Sequence, residues 1–181
     1  YAAGGDAIAR RVGPDRAAAL HRLSIEVMRF VRSQIDELGT PGVDPVHGIL
    51  SVLRYDGGED LRATRDRFAR VYDYSLEYLP REAVRDRLRS TRYFQALRDP
   101  NAFHFHPLNY LRGLAGAFEA LGGRIFERSR ATSASLEGAA KTVRTEAGSV
   151  TARDVLFCGG GYTDAVVPAL RRSMLPIATY V

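Results

Sequence analysis

Cysteine is nearly missing from this chain: its 181 residues contain one, Cys158. A single thiol excludes an internal disulfide and any zinc site built on cysteines, and it fits a reducing, cytoplasmic setting. Lysine is as scarce, with Lys141 alone, so the formal net charge of +5 is carried almost wholly by arginine. Those arginines are scattered, with Asp or Glu usually nearby and no block of like charges. This is the pattern of solvated helix faces, so no nucleic-acid partner is expected. Every apolar stretch is cut by Arg, Asp or Gly within a few residues, and no membrane span is expected either. The opening Tyr1-Ala2-Ala3-Gly4-Gly5-Asp6 has no basic n-region, no apolar h-region and no Met, and Ile177 to Val181 reads as mid-strand. Both ends therefore lead us to expect an internal piece of a longer protein. A G-x-G-x-x-G fingerprint, a G-x-S-x-G elbow, internal repeats and low-complexity segments are all missing.

What is present supports a packed interior. At 45% hydrophobic and 26% charged residues, the chain is globular in composition, with length for one domain or two interleaved half-domains. Pro14 at a first helical turn, Gly39 just past the end, and Leu20, Leu23, Val27, Val31, Ile35 and Leu38 at helical spacing predict a helix over 14–38. Ile49 to Tyr55 alternates as a strand, closed by Asp56-Gly57-Gly58. Helices are expected over 59–76 and from Pro80 to Leu88, and a strand over Tyr93 to Leu97, ended by Asp99-Pro100-Asn101. Phe103 to His106 should be extended. Pro107 should then open a helix burying Leu108, Leu111, Leu114, Phe118 and Leu121, and Gly122-Gly123 should stop it. Short strands are expected at Arg124–Glu127, Arg130–Leu136, Thr142–Thr145, Val150–Ala152 and Asp154–Cys158, with a last helix over 163–170.

The chemistry signal lies in the second half, where an apolar strand runs into Gly159-Gly160-Gly161. Glycine at a strand end removes the Cβ, so bare backbone can approach a phosphate or a flat ring. Thr163 or Asp164 could cap the following helix. A tight strand-to-helix turn with no ligand explains the same three glycines equally well. His104 and His106 lie two apart, but a metal pair would need a third ligand, and a polar cap on the helix begun by Pro107 accounts for them better. No metal site is expected. His21 and His47 read as surface or satisfied core residues, and Tyr72, Tyr74 and Tyr78 as packing. Tyr55, Tyr93 and Tyr180 could face a substrate, yet no residue is assigned as catalytic.

Order along the chain adds what the single turn lacks. His106-Pro107-Leu108-Asn109-Tyr110-Leu111-Arg112-Gly113-Leu114-Ala115 precedes Leu121-Gly122-Gly123-Arg124-Ile125-Phe126-Glu127-Arg128-Ser129, then Val143-Arg144-Thr145 and Val155 to Tyr162. This text resembles the D-amino-acid-oxidase-type family of FAD-dependent oxidoreductases, especially its gamma-glutamylputrescine-oxidase-like and glycine-oxidase-like members. Arg10 to Glu26 also looks like the helix after that group's flavin-contacting loop. The resemblance implies an α/β (mixed α+β) fold: part of a Rossmann-like FAD domain with a three-stranded meander, plus part of a helix-covered sheet that forms a substrate domain. Residues 1–100 would be mainly substrate-domain and connecting helices, 101–172 FAD domain, and 173–181 a return to the substrate sheet.

The resemblance also implies site residues. Ala131 stands where the family usually has a Val whose main chain meets the adenine. Cys158, Gly159 and Gly160 fall where its second FAD motif passes the cofactor, with Cys158 at a position where Ala is common, as a packed thiol. The dinucleotide fingerprint and the main substrate-facing residues would lie outside these residues, leaving this piece alone without full FAD binding. The implied activity is FAD-dependent oxidation of a small amine or amino acid to an imine. Two alternatives stay open: a basic helical interaction module, and a nucleotide-binding remnant without turnover.

Overall fold

The computed structural model describes residues 5–162 and 166–173. The expected cap at Thr163 or Asp164, and the expected strand at the end of the chain with Tyr180, lie outside the described residues. Helices and antiparallel strands are mixed in two compact units, Tyr1–Gly123 and Arg124–Val181.

In the first unit, α1 (Gly5–Val12) precedes α2 (Pro14–Leu38), whose ends follow local chemistry. Pro14 occupies the first turn, and Gly39 closes the helix in the left-handed region (φ 56°), its N–H donating to the Ile35 carbonyl. The strand β1 (Val46–Val52), the helix α3 (Gly58–Tyr72), the short strand β2 (Glu77–Leu79) and the helix α4 (Arg81–Leu88) come next. Then follow β3 (Ala96–His104) and α5 (Pro107–Ala120). The strands form an antiparallel sheet in the order β1-β3-β2. Its core is small: Ala17, Ile35, Val43, Val84, Ala96 and Leu97, closed by Tyr74.

Three differences from the sequence expectations have local causes. The helix expected over 59–76 ends at Tyr72, because Asp73 takes the left-handed conformation (φ 50°) and Tyr74 donates its N–H back to the Phe68 carbonyl. A short polar side chain tolerates that conformation. The freed residues then reach the sheet as β2. Secondly, β3 does not stop at Pro100. Ile49 pairs with Asp99 and His47 with Phe103, so residues 100–102 bulge opposite Gly48 alone. Proline is accommodated there because a bulged residue owes no ladder hydrogen bond. Thirdly, Leu108, Leu111 and Phe118 of α5 and Leu121 just after it, expected on a buried side, are exposed, and so are Leu23 and Val27 of α2.

The bulge is held by one carboxylate. Asp99 accepts from the Asn101 N–H at 3.0 Å and the Ala102 N–H at 3.1 Å. It also accepts from the Tyr74 hydroxyl, which lies 2.8 Å from each carboxylate oxygen. Around this bond sit His21, stacked on Tyr72 with ring centroids 4.0 Å apart, and Phe68. Tyr72 and Tyr74 therefore act as packing, as expected, and Tyr78 lies beneath the Arg62 guanidinium. His21 has a ring contact that its sequence context did not announce, and its Nε2 is buried with no hydrogen-bond partner. Burial lowers the His21 pKa against the opposing pull of Asp99.

The second unit is a meander of β4 (Ala131–Ser135), β5 (Lys141–Thr145) and β6 (Ser149–Ala152), in that order and antiparallel throughout. A 3-10 turn (Gly160–Tyr162) and α6 (Pro168–Ser173) follow. The strands expected at Arg124–Glu127 and Asp154–Cys158 do not form. An apolar run becomes a strand only when a neighbour takes its backbone hydrogen bonds, and neither run has such a neighbour among the described residues.

Burial and the bond to Asp99 push the Tyr74 pKa upward. A folded-state pKa raised above the unfolded value means that the stabilisation is complete below the unfolded value of about 10 and is lost as pH rises through the folded one. Tyr74→Phe is expected to cost about 1–2 kcal/mol in urea unfolding at neutral pH. It should also flatten the wild-type loss of stability above pH of about 10. An unchanged alkaline slope would show that Tyr74 does not carry this linkage.

Candidate cofactor-binding site

The meander is locked by hydroxyls and by the lone lysine. Thr145 closes the β5–β6 turn: its N–H donates to the Gly148 carbonyl at 2.8 Å, and its Oγ1 accepts from the Gly148 N–H at 3.1 Å. Lys141 donates from Nζ to the Arg153 carbonyl at 2.7 Å, tying the chain after β6 to the start of β5. Between β4 and β5 the register slips by one residue. Ala131 pairs with Thr145 and Ser133 with Arg144, leaving Thr132 bulged, and the Thr132 hydroxyl donates to the Arg144 carbonyl at 3.2 Å. Such a bulge re-aims the side chains beside it. Here those belong to Arg130 and Ala131.

Beside the bulge lies a cleft of about 430 Å³. Ala131 and Val143 of the meander form one part of its wall, and Val155, Phe157, Cys158 and Gly159 form another. Two segments that are distant in sequence thus meet at one cavity. Three of the four residues expected from the sequence, Ala131, Cys158 and Gly159, line it. Gly160 does not. It begins the 3-10 turn at φ 51°, and a Cβ there would meet nothing within 4 Å, so conformation and not space favours glycine. The turn closes through the Tyr162 N–H, which donates to the Gly159 carbonyl at 2.9 Å.

Cys158 corrects an expectation. It is a free, exposed thiol and not a packed one, because the segment that carries it joins no sheet that would cover it. Sequence reasoning missed Val143, Val155, Phe157 and Tyr162 as neighbours of the site. The strand alternation was a signal for Val143, whereas nothing local marked Tyr162.

The residues present fit a flat, largely apolar group. Small side chains at Ala131, Cys158 and Gly159 leave room for close approach, and Val143, Val155 and Phe157 supply apolar walls. The volume falls within the roughly 300–1,000 Å³ of small-molecule sites. Leu156 and Tyr162, 87% and 97% exposed, stand at the same place with large surfaces uncovered. Elsewhere, His106 caps α5 as expected: its Nδ1 accepts from the Asn109 N–H at 3.3 Å.

Comparison with known proteins defines the class. The chain belongs to the FAD dependent oxidoreductase (DAO) family, whose family model matches residues 3–181. It is 32% identical over 182 aligned residues to the gamma-glutamylputrescine oxidoreductase of Escherichia coli, covering 97% of this chain and 41% of that protein. Among solved structures it is similar to the glycine oxidase of Bacillus cereus, with a TM-score of 0.63 at 19% identity over 81% of this chain and 44% of that one. The glycine oxidase of Geobacillus kaustophilus gives a TM-score of 0.64 at 15% identity, over 80% of this chain and 40% of that one. The two structural likenesses establish the fold. The chain spans about two-fifths of the length of the curated relative. Among the described residues, no helix is long and apolar enough to cross a membrane.

An exposed thiol beside the cleft makes a direct check available. Cys158 of the 181-residue chain should react fully with a disulfide reagent such as dithionitrobenzoate without denaturant. Labelling that appears only after unfolding would contradict the exposed position.

Proposed function

We propose that the parent of this chain is an FAD-dependent oxidoreductase that oxidises the C–N bond of a small amine or amino acid. The observation that carries the reading is the cleft of the second unit, which gathers Ala131 with Cys158 and Gly159 inside a family match running from residue 3 to 181. In this reading the Ala131 main chain meets the adenine, so a side chain smaller than Val costs nothing there. Gly159 lets backbone pass close to the cofactor, Cys158 keeps that approach small, and Gly160 supplies the left-handed turn that follows. Residues 1–100 belong mainly to the substrate side and 101–172 to the FAD domain, with 173–181 returning to the substrate sheet. A bound flavin would supply the two-electron redox chemistry that brings the C–N bond of the amine to the imine level. The chain's own part is to hold the cofactor and to exclude competing reactions.

A gamma-glutamylated amine is the substrate class that the name of the Escherichia coli relative gives, with a free amino acid such as glycine next. The exposed apolar faces of α2 and α5 fit a larger parent, in which further chain covers them. One thiol and no disulfide fit a cytoplasmic location.

The test is the visible spectrum of the full-length parent before and after anaerobic addition of small amines and amino acids. An oxidised-flavin spectrum that bleaches with one of them is expected, whereas a colourless protein that takes up no added FAD overturns the proposal. Ala131→Trp in the same parent fills the cleft and should lower FAD retention by about tenfold or more, read as flavin-to-protein ratio after dialysis.

A further inference from the structure

The imidazole of His21 on α2 is enclosed by rings. It stacks on Tyr72 with centroids 4.0 Å apart and packs T-shaped against Phe68 at 5.2 Å and Tyr74 at 5.9 Å. Its Nε2 is buried with no hydrogen-bond partner. A neutral imidazole carries one N–H, and the charged form carries two. The neutral ring can keep its proton on Nδ1 and leave Nε2 bare. A second proton would place a charged donor at Nε2, where no acceptor waits.

The groups packed round His21 pull in both directions. Asp99 of β3 attracts a proton to it, and the face of Tyr72 favours a cation stacked on it. Arg67 of α3 lies 5.9 Å from the centre of the Phe68 ring and is paired with Asp6 of α1, and Arg29 of α2 acts on Tyr74. Burial is the largest influence, and it holds the His21 pKa below its ordinary 6.5. Asp99, moreover, is already engaged. Its Oδ1 accepts from the Asn101 and Ala102 N–H groups and from the Tyr74 hydroxyl, which also reaches Oδ2. An imidazolium turning to Asp99 would have to displace Tyr74, and one seeking water would have to leave the rings of Tyr72 and Phe68. Either movement undoes the packing over the Tyr74–Asp99 bond that holds the β3 bulge.

We propose that His21 is the trigger of a proton-operated latch: neutral, it seals the Tyr74–Asp99 bond and keeps the β3 bulge closed, and protonated it releases both. The linkage has one sign. With the folded-state pKa below the unfolded value of about 6.5, the stabilisation is whole above that value and is lost as pH falls from it to the folded one. Tyr74 sets the opposite, alkaline edge of the same construction. Tyr74, Asn101 and Phe103 also line a cleft of about 460 Å³ in this unit, so release of the bulge reshapes that cleft in mildly acid surroundings.

The experiment uses the full-length parent with its cofactor and reads hydrogen–deuterium exchange by mass spectrometry, corrected for intrinsic rates. Protection of the β3 peptide with the Asn101 and Ala102 amides should fall about threefold or more between pH of roughly 7.5 and 5.5. Protection of the peptide spanning Lys141–Ala152 should hold across the same range. Slow exchange of the His21 ring hydrogen between the two nitrogens, followed in the same samples, should report a midpoint below that of an unperturbed histidine. His21→Phe keeps a ring with nothing to protonate and should flatten the pH response of the β3 peptide. A His21 midpoint at or above the ordinary value, a β3 peptide indifferent to pH, an equal loss in both peptides, or the same loss in His21→Phe overturns the proposal. The first three readings use the unaltered protein and decide even where the variant does not fold. Flavin content and bleaching do not enter any of them, so the latch and the proposed function fail separately.

Discussion

The first unit depends on the carboxylate of Asp99. It sits where β3 departs from its register and gathers a hydroxyl from Tyr74 and two backbone N–H groups from the bulge. Without it, Pro100 would interrupt the central strand of a three-stranded sheet, which is the worst place for a residue that cannot donate. With it, the interruption becomes a fixed turn of backbone. Tyr74 is delivered to that carboxylate by the left-handed exit of α3 at Asp73, and the His21–Tyr72–Phe68 aromatic group closes over the bond. Helix end, sheet irregularity and aromatic packing are thus one construction.

The apolar faces left open show how far this construction goes. Val84 and Ala96 are fully buried, yet α5 exposes Leu108, Leu111 and Phe118 at helical spacing, and Leu121 just after them is 89% exposed. Covering one such side chain is worth about 1.5–3 kcal/mol, so the open faces represent a large share of the stability available to the unit. The chain spans about two-fifths of its curated relative's length, and the family model matches its residues 3–181.

The legible features were those with local causes. Pro14, Gly39, Pro107 and the His106 cap set helix ends within a few residues of themselves, and the expected boundaries of α2 are the observed ones. The meander was readable for a similar reason, since alternation and the Thr-and-Gly turn act at short range. At the candidate site, the family resemblance implied Ala131, Cys158 and Gly159, and the structure brings these three to one cleft. Gly160 was grouped with them because the resemblance implies that the whole Cys158–Gly160 segment passes the cofactor. Its backbone angle separates it, as a residue of the turn and not of the wall.

What the sequence by itself determined is therefore the helices α2 to α5, the meander, the glycine turn and the family text that joins them. Each depends on contacts between residues close in the chain. By contrast, α1 (Gly5–Val12) was not expected, and α6 begins at Pro168 and not at 163. Only the tertiary structure decided that β3 crosses Pro100, that Cys158 is exposed, that His21 stacks on Tyr72, and that the stripes of α2 and α5 remain open. Those outcomes turn on partners far away in sequence: Tyr74 for Asp99, a neighbouring strand for Val155 to Cys158, another surface for Leu111. Periodicity states that a face seeks burial, and a strand-like run states that backbone groups seek bonds. Which partner answers is a property of the assembled fold.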